Sequence, residues 1–310
     1  MVRFVRISVV ALLVLLFIGV NSWAQDSASV RPNPWKFTGD AALTFNQVAL
    51  YHWVPGGVNS ISGQASLFLR LLYKQDRQLW DNTLDMGYGL TKQAEDPLIK
   101  NLDRILFNSQ YGYEVTKSLY MSALLSMQTQ FAPGYKDNKN TVKISDAFSP
   151  YYLSLAVGVD YRPDSHFSLF FSPLSGRLTY VRSQMLADLG AFGVKAATYD
   201  ATTKAMLTPG EHVRWELGAN LKAEYINRFF KDQLGLKTTL QLFSNYLDKP
   251  QNVDVNFDLL LDYKLLSFLT ATAQITLVYD DDQKITNEAG QQVASLQVRQ
   301  MFGLGLAYHF

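Results

Sequence analysis

Asp254, Asp258 and Asp262 recur every four residues along one alternating segment near the end of the chain. On a strand that spacing puts all three carboxylates on one face, because side chains switch sides at every residue. Arg214 and Lys222 belong to one preceding segment and Lys237 to the next. Opposed acidic and basic ladders suit two chemistries: pairing across a narrow interior, or a transverse field that sorts polar solutes by charge. The same inward parity holds for Arg70, Asp81, Asp85, Arg104, Glu216 and Arg299. It also holds for Asp40, Glu114, Asp160, Arg162 and Glu224, so both signs are present in similar numbers.

Catalysis has less to work with. The four histidines are His52, His166, His212 and His309, and no arrangement sets one beside a nucleophile. Asp280-Asp281-Asp282 has the carboxylate density of a calcium site or a carboxylate protease; a solvated loop cluster accounts for it more simply. No metal-ligand spacing, phosphate-cradling glycine loop or cofactor fingerprint occurs, so no cofactor and no enzyme activity are expected. With no cysteine, disulfides and thiol chemistry are excluded.

Such inward charges need a wall. The last residues, Phe302-Gly-Leu304-Gly-Leu306-Ala-Tyr308-His-Phe310, place large apolar groups on one face and Gly, Ala and His on the other. That suits a strand between lipid and lumen. The same two-faced pattern recurs from Trp35 to Phe45, Ser60 to Tyr73 and Trp80 to Thr91. It continues over 103–113, 119–131, 151–161, 213–225, 234–244, 253–263, 269–279 and 296–310. A further segment, 167–173 with an extension to 181, is interrupted by Pro173 and Gly176. The expected fold is an all-β, transmembrane, antiparallel up-and-down barrel of about twelve strands. Mean hydropathy of −0.04 beside 13% aromatic residues fits, since outward and inward residues average out.

The connections alternate short and long, as periplasmic turns and outer loops do. Girdle aromatics such as Trp35, Tyr73, Trp80 and Tyr308 fall near the short-turn ends. Two long loops stand out. The first carries Tyr51, His52 and Trp53 before a Pro-Gly-Gly turn, candidates for stacking on an outer ligand. The other, 174–212, is long enough to constrict the lumen or to carry a partner surface.

Residues 1–24 read as a signal peptide: Arg3 and Arg6, an aliphatic run from Ile7 to Val20, then Ser22-Trp23-Ala24 before a cleavage near Ala24-Gln25. Residues 25–34 form a short polar lead and 35–310 the barrel. The apolar run is short for a spanning helix, and no cysteine follows it, which excludes a lipid anchor. Removal of the two arginines takes the formal charge from +1 to −1 (+1 − 2 = −1), which argues against a nucleic-acid partner. The expected location is the outer membrane, with both termini periplasmic. Expected partners are its lipid, the barrel-assembly machinery and other envelope proteins.

Several clusters carry a family resemblance: Asn46-Gln47, Trp53 with Gly56-Gly57, Asn59-Ser-Ile-Ser-Gly63, Trp80-Asp81-Asn82 leading to Gly87-Tyr88-Gly89, and Phe171-Ser-Pro173-Leu-Ser-Gly176-Arg177. On these the chain resembles a Bacteroidota outer-membrane family, the domain of unknown function 3078 family. The resemblance implies a barrel and carries no activity. Two roles follow from the residues: a non-catalytic, porin-like channel for small polar solutes, or a plugged barrel serving as a subunit of a larger envelope complex. A membrane-embedded hydrolase is a distant third.

Overall fold

The computed structural model describes residues 33–48, 59–94, 96–136, 141–282, 284–286 and 291–310. The expected signal peptide lies outside them, as do Tyr51, His52 and Trp53. Twelve strands close into one antiparallel barrel. They are β1 (Trp35–Val48), β2 (Ser60–Gln75), β3 (Gln78–Gln93), β4 (Ile99–Thr116), β5 (Leu119–Thr129) and β6 (Tyr151–Tyr161), followed by β7 (Phe167–Tyr180), β8 (Val213–Phe229), β9 (Leu234–Asn245), β10 (Val253–Lys264), β11 (Leu269–Tyr279) and β12 (Gln297–His309). Each strand pairs with its neighbours in sequence, and β12 returns to β1 with Asp40 opposite His309 and Phe45 opposite Leu304.

The alternation in sequence becomes an inversion of the usual core. Phe37, Leu43, Phe45, Leu155, Val157, Phe302, Leu304 and Leu306 are exposed on the outside, whereas Asp81, Gln110, Asp160, Glu216 and Asn220 are buried within. Closure gives every wall strand two neighbours, which a bilayer demands of backbone polar groups. The fold is that of an outer-membrane-type barrel. The start of β1 and the end of β12 lie at one end, here the terminal end. Trp35, Tyr73 and Trp80 form an aromatic cluster there, with ring centroids 4.9 and 6.0 Å apart. Phe310 stacks on Tyr308 and meets Phe37 at 5.7 Å.

β7 runs through Pro173 without a break. Between the pairs Val157–Leu174 and Val159–Phe171, β7 carries one residue more than β6, and the same surplus appears against β8 between Gly218 and Asn220. This is a β-bulge, where a strand tolerates a proline because the ladder is already interrupted. Ser172 Oγ donates to the Val157 carbonyl (2.8 Å) and so ties the bulge to β6. The bulge also switches parity: Ser172 points inward before it, Ser175 and Arg177 after it.

Turns at the terminal end are short. At the opposite, loop end the connection from Val181 to His212 folds as a cap. Its short helix, Gln184–Asp188, buries Leu186 and Ala187 against Val181 and Val194. Asp188 Oδ1 accepts from the Gly210 amide (2.8 Å) and from Gln184 Nε2 (2.7 Å). Those bonds, the amide first, hold its carboxyl below the usual carboxylate range. The cap turns inward at Gly193, whose φ is +79°; a Cβ there would collide with the Arg214 guanidinium.

Candidate functional site

The lumen is bridged at mid-height. Asp85 on β3 and Lys237 on β9 stand six strands apart in a ring of twelve, and Lys237 Nζ lies 3.5 Å from Asp85 Oδ2. Arg104 on β4 donates to the same Asp85 oxygen at 2.8 Å. It also reaches 3.5 Å from Asp258 Oδ1 on β10, again six strands away. Asp258 accepts from Thr276 Oγ1 (2.8 Å), which in turn accepts from Arg299 (3.1 Å). Lys237 lies 3.6 Å over the Phe68 ring. Two acids and three bases thus form a bar across the whole interior. A twelve-strand barrel is narrow enough for long side chains to meet in this way.

Toward the terminal end a second network lines the wall. Arg70 binds Asp81 through two hydrogen bonds, 2.8 and 2.6 Å. Arg162 donates to Asp81 (2.9 Å) and to Asp160 (2.5 Å), and Gln110 also donates to Asp160 (2.8 Å). Lys222 lies 3.5 Å from Glu224. Arg228 spans to Asp40 at 3.0 Å and to Asp262 at 3.6 Å. Asp164, in the turn between β6 and β7, accepts from the His166 and Phe167 amides (2.7 and 3.0 Å), which keeps its carboxyl below the usual range. Between this wall and the bar is a vestibule of about 890 Å³. Its lining runs from the turn residues Lys117, Pro163 and Asp232 to Asp85, Arg104 and Lys237.

Toward the loop end a third network joins β7, β8 and β10. Arg177 binds Glu216 through two hydrogen bonds (2.9 and 2.6 Å) and Asp254 through a third (2.7 Å), with its guanidinium over the Phe243 ring. Arg214 meets Glu216 at 3.3 Å and Asp282 at 2.5 Å. Between the middle of the wall and the terminal end, Phe170, Leu124 and Ala156 form a buried apolar cluster on β5 to β7.

All twelve lumen candidates named from sequence sit on the inward parity, but the ladders do not pair as their order suggests. Asp254 goes to Arg177, Asp258 to Arg104 and Asp262 to Arg228, while Arg214, Lys222 and Lys237 take Asp282 with Glu216, Glu224 and Asp85. Sequence reasoning passed over Arg177 and Arg228. Arg177 follows the parity switch at the bulge, and Pro173 inside an alternating run was the available signal. Arg228 lies where β8 extends past Tyr225. Of the described histidines, His212 belongs to the cap and His309 Nδ1 lies 2.7 Å from Asp40 Oδ1. Among the described residues no cluster of His, Asp and Glu is arranged to hold a metal ion.

Residues 45–135 match a family described as "Protein of unknown function (DUF3078)". The match takes in Arg70, Asp81, Asp85 and Arg104; the Phe171–Arg177 segment lies outside it. No curated protein matches the chain. Among solved structures, the chain is similar to the translocator domain of the autotransporter NalP from Neisseria meningitidis, at 10% identity and a TM-score of 0.37, with 98% of this chain and 96% of that one covered. It is also similar to an outer membrane channel from Pseudomonas putida F1, at 12% identity and a TM-score of 0.38, with 93% and 99% covered.

Proposed function

We propose that this protein is a non-catalytic outer-membrane channel for small polar solutes, closed at rest by the bar of Asp85, Arg104, Asp258 and Lys237. Both termini then face the periplasm and the vestibule opens there. The observation that carries this reading is the pair of contacts between diametrically opposite strands, Asp85 to Lys237 and Arg104 to Asp258. A bar of charges is easier to open than an apolar plug, because each released group is taken up by water or by a charged solute. The test is solute efflux from vesicles holding the refolded chain. Asp85→Asn combined with Lys237→Gln is expected to release a trapped small sugar faster than the unaltered protein does. Equal rates from both would reject the bar as the barrier.

A plugged barrel acting as a subunit of an envelope complex is the second reading. It is favoured by the exposed cap residues Leu189, Tyr199, Met206 and Leu207. Recovery of the protein as a lone monomer after gentle extraction would count against it.

A further inference from the structure

The bar is one carboxylate short. Arg299 on β12 belongs to it through Thr276, whose hydroxyl accepts from Arg299 Nη2 (3.1 Å) and donates to Asp258 (2.8 Å). With Arg104 and Lys237 it makes three bases against the two acids Asp85 and Asp258. Of the inward arginines, Arg70, Arg104, Arg162, Arg177, Arg214 and Arg228 each have a carboxylate oxygen within 3.0 Å. Arg299 makes no ion pair among the described residues, and the Thr276 hydroxyl is the single acceptor it finds among them. A guanidinium carries five N–H donors, so most of those on Arg299 are open. Arg104 Nε, buried in the same bar, also has no acceptor among the described residues.

The acids nearest in the fold are already taken. Toward the loop end Glu216 and Asp254 hold Arg177 at 2.6 and 2.7 Å, and Asp282 holds Arg214 at 2.5 Å. Glu114, Asp164 and Asp232 make no ion pair among the described residues, but they stand at the terminal mouth, with the vestibule between them and the bar. Inside a narrow barrel an unmatched cation is only partly hydrated, and an anion recovers the free energy that this costs. Arg299 is partly exposed, and it lies two residues nearer the loop end than Met301, which lines the vestibule. It is therefore the unmatched cation that a solute arriving from the loop end meets at the bar.

We propose that Arg299 is an anion site, and that the solute is a small polar molecule carrying one carboxylate or phosphate group, which docks there and completes the charge of the bar. Passage of that solute rests on the channel reading; its binding does not. Equilibrium dialysis at low salt, with radiolabelled gluconate and the full chain folded in phosphatidylcholine nanodiscs, measures the binding. One gluconate per chain is expected, displaced by glucose 6-phosphate and not by glucose or choline. Arg299→Gln is expected to weaken binding about tenfold, the worth of one charge-assisted bond, and Arg299→Lys to retain most of it. Gel migration with and without heating confirms that both variants are folded. In a potassium chloride gradient the Asp85→Asn, Lys237→Gln protein is expected to prefer chloride, and to lose that preference when Arg299→Gln is added. A silent Asp85→Asn, Lys237→Gln protein that still binds gluconate would reject the bar as the gate and uphold the anion site. Equal displacement by glucose, or gluconate binding unchanged in Arg299→Gln, would overturn the anion site whatever the conductance.

Discussion

Asp85 and Lys237 touch across the full width of the barrel, carboxylate to ammonium at 3.5 Å, although 152 residues separate them in the chain. Neither strand alone specifies that contact. It needs the ring to close with β3 opposite β9, and it puts an acid where Arg104 and Lys237 both reach it. Asp85→Asn leaves those two cations facing each other. The expected loss is about 2 kcal/mol, between the worth of an exposed ion pair and that of a fully buried one. Unfolding by urea in lipid vesicles measures it, and adding Lys237→Gln is expected to restore part of the loss.

Arg177 holds two carboxylates from β8 and β10. Arg177→Ala strands Asp254 and leaves Glu216 with Arg214 alone, and the expected cost is about 3–5 kcal/mol. Arg177→Lys keeps the charge but loses the two-bonded grip on Glu216 and the stacking on Phe243, so it is expected to recover only part. The same unfolding assay ranks the three proteins.

The bulge at Pro173 sets the direction of everything after it on β7. Pro173→Ala keeps the residue count and is expected to leave assembly nearly unchanged. Deleting Pro173 restores simple alternation from Ser172 and keeps Ser175, Arg177 and Thr179 inward, whereas inserting one alanine between Pro173 and Leu174 turns all three toward lipid. An arginine on the lipid face costs about 2–4 kcal/mol near the midplane, on top of the lost ion pairs. Heat-modifiable migration on gels reads the folded fraction, which is expected to collapse for the insertion only.

The cap answers to pH through Asp188. Its carboxyl is held below the ordinary range by the Gly210 amide and by Gln184. A depressed carboxylate contributes stability above its unfolded pKa, and that contribution disappears as pH falls through the folded value. Hydrogen exchange at Gly210, corrected for intrinsic rates, is therefore expected to quicken below about pH 4. In Asp188→Ala it is expected to be fast throughout.

Much of this architecture was legible because a barrel writes a period of two into its strands. The segment from Trp80 to Thr91 alternates so cleanly that a two-faced strand follows from it, and the twelve-strand closure bears out the barrel. The seventh strand was harder, since a proline breaks the pattern where the bulge absorbs it. Partners were harder still. Asp254, Asp258 and Asp262 announce a column, but which cation meets each depends on the stagger of strands across the ring, a property of closure that no local spacing records. Tyr51, His52 and Trp53, the outer-loop candidates, lie outside the described residues.

The central claim is that the charged bar closes the lumen, and single-channel recording in a planar bilayer tests it most directly. The unaltered protein, shown to be folded and inserted, is expected to give silent traces, and the Asp85→Asn, Lys237→Gln protein discrete open steps. Open steps of equal size from both proteins would contradict the account.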